Sequence, residues 1–512
     1  MAANLTLLAT DFAILQKNAD QLFLLIMGCM VFLMQSGFAF LEAGSVRSKN
    51  TTNILIKNML DIFITGLCYW MFGFAFAFGQ VGNPFIGHSD FFAGSLRYSP
   101  DPAFWLFQFV FCATATTIVS GAMAERTEFV CYLVYCVVIG GFMYPVVTHW
   151  AWSDVGWLAN GPNGIVYKDF AGSGVVHVVG GTTAFVGAKL LGPRIGRFKD
   201  GQAVQISGHT VPLVALGAFI LFFGFLAFNG GSQASISGAG DGQVVSNAMV
   251  NTLVSGAAGG LVAMMVKRSG LLGGVNWSLL TSINGALSGM VAICAAADSA
   301  YSWGALVIGV VAGFVYCAWS KLVVKLGVDD PLDAVAVHLG AGLWGVLAAP
   351  ILASDVGLVA EDKQYALLLF GWNLLGAVVI MAWCVLVSGL MFGTLKAFGI
   401  LRVPPEIELR GLDIPKHGEP AYPTESYGHG WTIMPPDHSP DLYGPDGKPA
   451  RPYGPDGAPD RFPQPVYLKM NNGPRPVSRP PSRSSGRHVY NPSSVPPVTY
   501  FNHGAVVEDT YM

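Results

Sequence analysis

The chain has 512 residues, 52% of them hydrophobic and only 12% charged, and carries a net charge of −3. Soluble domains hold about 25% charged residues, so this balance, with a mean hydropathy of +0.50, excludes an ordinary soluble globule and places the chain among membrane proteins. The near-neutral charge offers a polyanion nothing to bind, which argues against nucleic acid as a partner.

A spanning helix needs ~20 mainly apolar residues. Eleven runs reach that length: 22–44, 54–80, 103–123, 129–149, 173–192, 211–229, 246–266, 274–296, 303–326, 332–353 and 365–398. Residues 1–21 precede them, and their first cation is Lys17. Without a basic leader, the first run is expected to direct insertion itself. Trp150, Trp152 and Trp157 cluster beyond the fourth run, as interfacial belts do. All eight cysteines lie in apolar runs, which fits buried thiols better than a disulfide framework.

Lysine and arginine set the orientation. Connections after the odd runs from the first to the ninth hold twelve, including Lys57, Arg126, Arg194 and Lys321; the other side holds only Lys17, Arg97, Lys168 and Lys363. The richer side is expected in the cytosol. The N-terminus (1–21) then lies outside and the C-terminus inside, as an odd number of spans requires. Residues 22–398 form the transmembrane domain, 399–425 a proximal segment able to dock on the cytosolic face, and 426–512 a tail. Twenty-two of the 31 prolines fall in 404–512, and Tyr443-Gly-Pro-Asp-Gly447 repeats as Tyr453-Gly-Pro-Asp-Gly457. That composition predicts disorder in the tail. Its Ser478, Ser482, Ser484 and Ser485 are candidate phosphosites. Its end, Thr510-Tyr511-Met512, reads either as a PDZ ligand or as an ordinary terminus. Asn4-Leu-Thr6 is a glycosylation sequon on the outside.

Two segments repeat. Asp169-Phe-Ala-Gly-Ser-Gly-Val-Val-His177 precedes Val-Val-Gly-Gly, and Asp330-Pro-Leu-Asp-Ala-Val-Ala-Val-His338 precedes Leu-Gly-Ala-Gly. Each aspartate sits where an N-cap belongs, with Pro331 at the first helical position and Asp333 in the same turn. Eight helical residues rise ~12 Å, and half a hydrocarbon core is ~15 Å. Asp169 opens its run from outside and Asp330 from the cytosol, so both histidines are expected at the midplane. Runs one to five and six to ten each hold an odd number of spans, which makes two homologous halves inverted, a recurring transporter design. His177 and His338 are the only ionisable side chains read as well inside a span, and such groups are functional candidates. The alternative is that each imidazole only ties helices together. No two histidines lie within four residues, so no chelating pair of that type is expected. Neutral imidazoles each offer a donor and an acceptor, which suits a small solute able to exchange a proton.

Six motifs then resemble the ammonium transporter family (the Amt/Mep/Rh superfamily), its Amt branch in particular. They are Gly37-Phe-Ala-Phe-Leu-Glu-Ala-Gly44, Gly121-Ala-Met-Ala-Glu-Arg126, the Asp169–His177 segment, Phe228-Asn-Gly-Gly-Ser232, Asp329–His338, and Gly411-Leu-Asp413 with His417-Gly-Glu-Pro-Ala-Tyr422. The resemblance runs from about residue 20 to about 425. It implies an all-α polytopic fold of eleven transmembrane helices in inverted five-helix repeats, a homotrimer with one pore per subunit, and ammonium or methylammonium as substrate in the plasma membrane. By position, Trp152 implies a cation–π face for NH4+, Ser232 a hydrogen-bond acceptor, and Phe107 a vestibule ring. Phe111 and Phe228 match a stacked gate, Asp169 an aspartate that orients the recruitment site, and His177 and His338 a twin-histidine pair. Phe107 and Phe111 at i, i+4 spacing, or Trp152 in a belt, have bland readings without the resemblance, and Glu125 and Arg126 read as a helix end. Plant members carry a regulatory threonine in the Gly-Leu-Asp stretch; here Pro415 stands in that region and takes no phosphate, although docking of the C-terminal segment on neighbouring subunits can persist.

Three functions compete: electrogenic ammonium uptake, passive passage of neutral gas, and ammonium sensing through the tail with a cytosolic regulator. Trp152 and Ser232 favour the first, since a cation site is wasted on a neutral gas. No nucleophile–base pair, metal cluster or cofactor motif is read in the membrane part, so an enzyme is not expected.

Overall fold

The computed structural model describes residues 2–94, 102–271 and 273–423, with the side chains of 2–5 left aside. Eleven helices are long and apolar enough to cross a membrane. They are α1 (Ala2–Ser45), α2 (Ser48–Phe78), α3 (Pro102–Met123), α4 (Phe129–Trp152), α5 (Ser173–Leu191), α6 (Val211–Gly231), α7 (Asp241–Arg268), α8 (Leu279–Ala296), α9 (Ser302–Lys325), α10 (Val335–Leu352) and α11 (Lys363–Ala397). A short α12 (Pro405–Arg410) follows. The one sheet among the described residues is an antiparallel hairpin of Phe198–Lys199 with Gln202–Ala203. The glycosylation of Asn4, Arg97, the repeat at 443–457, the candidate phosphosites and the C-terminal Thr510–Met512 lie outside what is described.

Every apolar run became a helix, and the differences fall at the ends. Helix α1 starts at Ala2 instead of residue 22. Polar residues such as Asp11, Gln16 and Asp20 lower the hydropathy there, but no glycine or proline precedes Gly28, so the helix continues. The Asp20 carboxylate accepts from the Ile236 and Ser237 N–H groups at 2.7 and 2.9 Å and anchors that end. Helix α8 starts at Leu279 instead of 274, because Gly270, Gly273 and Gly274 all take positive φ.

Close helix crossings rest on glycine, as membrane interfaces do. Gly181 and Gly342 each lie four residues after a repeat histidine. A Cβ on Gly181 would meet the Leu339 nitrogen at 2.3 Å, and one on Gly342 would meet the Ser173 carbonyl at 2.6 Å. Each repeat therefore presses its glycine against the other's histidine turn. Helices α5 and α10 meet there and bring the two histidines together.

Two sequence expectations are corrected. The repeat aspartates do not sit at the helix start. Asp169 and Asp330 are followed by non-helical residues, and the helices open with π-turns at Ser173–Val178 and Val335–Gly340. The uninterrupted helical rise from aspartate to histidine is thus shortened, and Pro331 stands in the lead-in. Gly172 (φ 97°) and Asp333 (φ 59°) explain this, since both take left-handed conformations that interrupt a helix.

The second correction concerns charge. Glu42 on α1 and Lys57 and Asp61 on α2 are also buried inside spans. In sequence Lys57 reads as a loop cation, because the apolar pattern blurs at its end of the run. Arg126, at the predicted helix end, is wholly buried beyond the end of α3 and donates to the carbonyls of Ala122, Ala124, Gly192 and Asp329.

The proximal C-terminal segment packs on the face that carries the α1–α2 and α3–α4 turns. The Leu412 N–H donates to Asn50 Oδ1 at 3.0 Å, the Asn53 N–H donates to Asp413 Oδ1 at 2.9 Å, and His417 Nε2 lies 2.8 Å from Asn53 Nδ2.

Candidate translocation site

The site reads from one end of the bundle toward the middle. A cavity of about 200 Å³ is lined by Phe104, Phe107, Phe111, Trp152, Phe170 and Ser232, among others. Trp152 ends α4, and its indole N–H donates to the Asp169 carbonyl at 2.8 Å. That bond fixes the ring and leaves its π-face for the cavity. Ser232 follows α6, and its hydroxyl donates to the Phe228 carbonyl at 2.8 Å. Its proton is committed, so its lone pairs are left to accept from a guest.

The Asp169 carboxylate accepts from the Gly172, Gly174 and Val175 N–H groups at 3.1, 2.9 and 2.9 Å. It caps α5 from outside the helix. Burial pushes its carboxyl up to about 6, against the pull of those N–H groups. Asp330 does the same for α10, accepting from Leu332 and Val335 at 3.3 and 2.7 Å. Its carboxyl is pushed up to about 7 by burial and then by the nearby Asp333. Asp333 is not a side-chain cap. It accepts from Tyr316 and Ser320 on α9 at 3.0 and 3.1 Å and ties that helix to the start of α10.

The floor of the cavity is aromatic. Phe111 and Phe228 stack with centroids 4.0 Å apart and planes 16° from parallel. Phe107 packs on Phe111 at 4.8 Å and is buried as part of the wall.

Next to this stack stand the imidazoles. His177 and His338 face each other through Nδ1 atoms 3.1 Å apart, with rings 21° from parallel. One Nδ1 must donate and the other accept. Phe225 and Phe228 flank His177 at 5.8 and 5.6 Å. Cys294 Sγ lies 3.7 Å from His177 Nε2, while its thiol donates to the Met290 carbonyl at 3.2 Å. Beyond His338 a second, narrower cavity of about 30 Å³ is lined by Phe38, Glu42, Phe225, Asn284, Val337 and His338, among others.

Trp152, Ser232, Phe107, Phe111 and Phe228 thus share one cavity and its floor, with the two histidines beneath. Asp169, Asp330 and Asp333 hold the scaffold. Sequence reasoning missed Phe225, Cys294 and Glu42. Phe225 was reachable, because it lies one turn from Phe228 on the same helix. Cys294 carries no local signal. Glu42 was legible only as part of a matched motif.

The model of the Ammonium Transporter Family matches residues 22–422. A "Putative ammonium transporter 1" of Caenorhabditis elegans is 48% identical over 453 residues, covering 84% of this chain and 83% of that protein. "Ammonium transporter 1 member 2" of Arabidopsis thaliana is 40% identical over 408 residues, covering 74% and 79%. Among solved structures, a "Sensor Amt Protein" superposes with a TM-score of 0.73 at 34% identity, covering 79% of this chain and 99% of that one. Mep2 of Saccharomyces cerevisiae gives 0.67 at 26% identity, covering 76% and 88%.

Proposed function

This chain belongs to the ammonium transporter family, and from that premise we propose that it is an electrogenic ammonium uptake transporter with a twin-histidine pore. The reading places it in the cell membrane as a homotrimer, N-terminus outside and C-terminus in the cytosol. One observation carries it: a cavity fit for a cation, closed by a phenyl stack, abuts a hydrogen-bonded imidazole pair.

NH4+ rests on the Trp152 face, worth about 1 kcal/mol at a partly desolvated site, and donates a hydrogen bond to Ser232. A bare charge at the bilayer centre costs roughly 3 kcal/mol or more, so the ion sheds its proton before the phenyl stack. NH3 passes Phe111 and Phe228, and the imidazoles offer it a donor and an acceptor in an otherwise apolar tube. The proton follows along the same pair and recombines on the far side, so each NH4+ carries one charge across. Passive transit of a neutral gas gives no use to Trp152 and Ser232. The proximal segment at 399–423 is the contact through which a cytosolic regulator would act.

The test is two-electrode recording of the expressed full chain across pH and ammonium concentration. Inward current that saturates with ammonium or methylammonium is expected. Substrate flux without current would overturn the electrogenic form.

A further inference from the structure

Behind the second cavity lies a charged cluster that transport through the imidazoles alone leaves unused. Glu42 lines that cavity together with His338. Its carboxylate accepts from Ser120 on α3 and from Asn58 Nδ2 at 2.9 Å. Lys57 Nζ stands 3.7 Å from Glu42 and 2.5 Å from Asp61. Asp61 is also approached by the Tyr135 hydroxyl at 3.3 Å and the Cys136 thiol at 3.0 Å, both on α4. Glu42, Lys57 and Asp61 are each at most 2% exposed.

The charge count is uneven. Two carboxylates share one ammonium, and the shorter contact belongs to Asp61. Glu42 is left as the less neutralised acid. An unbalanced buried charge is expensive, and one added proton makes the three groups neutral together. Two further polar atoms in the same neighbourhood, Asn58 Oδ1 and Gln35 Nε2, are buried and without a hydrogen-bond partner among the described residues. Gln35 is linked to this region through Thr117, which donates to its Oε1 at 2.9 Å, one turn before Ser120 on α3. Among the residues lining the cavity, Glu42 and His338 are the only ionisable ones.

We propose that Glu42, poised by Lys57 and Asp61, is the proton acceptor and donor at the inner end of the pore. The inference rests on the proton-coupled reading above. The protonated imidazole pair gives up a proton through the cavity, whose volume of about 30 Å³ is of the order of one water. An N–H bond breaks and the Glu42 carboxylate gains an O–H bond. The acid then protonates NH3 as it leaves His338: the O–H bond breaks, the fourth N–H bond forms, and NH4+ departs with the carboxylate restored. Lys57 and Asp61 act as positioning residues that set the charge of the cluster. Tyr132, Tyr135 and Cys136 face the cluster from α4, and among the described residues Lys57 and Asp61 are the charged groups that act on Glu42.

The test measures charge moved against labelled methylammonium accumulated in the same cells expressing the full chain, a ratio independent of the amount of protein. Glu42→Gln keeps the shape and the bonding to Ser120 but cannot cycle a proton. The ratio is expected to fall at least about tenfold, a lower bound set beneath the roughly hundredfold or more that a general acid–base group contributes, and Glu42→Asp to restore part of it. An unchanged ratio in E42Q, or equal losses in E42Q and E42D, overturns the proposal. A wild type that accumulates methylammonium without current overturns the underlying pore reading, and the proposal with it, before any variant is compared. If E42Q fails to reach the membrane, Ser120→Ala replaces it. Losing a hydrogen bond to the carboxylate raises its proton affinity, so the pH at which the ratio is half-maximal should rise by about half a unit or more. No shift overturns the proposal.

Discussion

The two repeat arms share a backbone plan but keep different company. Each has an aspartate whose carboxylate takes the N–H group five residues on, a π-turn that carries the histidine, and a glycine four residues later pressed on the other arm. Yet His177 is wholly buried against Phe225 and Phe228, while His338 is 7% exposed and opens on the cavity that holds Glu42. Symmetry builds the meeting point, and the surroundings break it. On the proposed reading, the arm of His177 is the outer one, which strips a cation and excludes water, and the arm of His338 is the inner one, which handles what remains.

The sharpest attack on that comparison is to remove each imidazole. His177→Ala and His338→Ala are each expected to lower ammonium-evoked current about a hundredfold, the lower end of the range for a proton-transfer group. They should differ in stability. Loss of His177 opens a void under the phenyl stack, whereas loss of His338 widens a cavity that already exists, so His177→Ala should be the less stable protein on heating in detergent. Two variants that conduct like wild type would sink the imidazole mechanism, and equal thermal stability would erase the asymmetry.

Next in size is the stack. Phe228→Ala removes one ring of a pair at 4.0 Å and one flank of His177. Large-to-small changes of this kind cost about 3–5 kcal/mol. The expected phenotype is a lower melting temperature together with proton leak in the absence of ammonium, read as a background current that grows as external pH falls. A variant that is destabilised but does not leak would make Phe228 a packing residue with no gating role.

A smaller effect belongs to the vestibule. Trp152→Ala and Ser232→Ala should each raise the half-saturating ammonium concentration roughly fivefold, equivalent to about 1 kcal/mol, with maximal current preserved. Were neither to move it, the outer arm would have no cation site and the passive reading would gain.

How far the sequence reaches follows the same divide. Helices were legible because eleven apolar runs had nowhere else to go, and the histidine pair was legible because a spacing of eight residues occurs twice. What escaped was whatever depends on contact across helices. Lys57 lies a few residues into its run and reads as a loop cation, but Asp61 one turn later and Glu42 on α1 give it a buried partner on each side. The aspartate caps were legible as caps but not as caps acting across a non-helical lead-in, because the positive φ of Asp333 reflects its bonds to α9 and not its own neighbours.

The two caps differ as well, and that sharpens the comparison at its finest scale. Burial lifts the Asp169 carboxyl to about 6 and the Asp330 carboxyl, with Asp333 beside it, to about 7, both from an ordinary 3.8. A carboxyl raised on folding binds its proton more tightly in the folded state. Between the unfolded and folded values the folded protein therefore holds more protons, and stability falls as pH rises. For Asp169 that loss is largely complete a little above pH 6, and for Asp330 it continues through pH 7. Melting of the detergent-solubilised wild type should thus fall between pH 6 and 8 by roughly a few degrees. Asp330→Asn should flatten most of that window, while Asp169→Asn should leave it nearly unchanged and lessen only the slope between pH 4 and 6, which both carboxyls share. If the two substitutions flattened the pH 6 to 8 window equally, the arms would be electrostatically equivalent, and the difference between the two halves would reduce to aromatics alone.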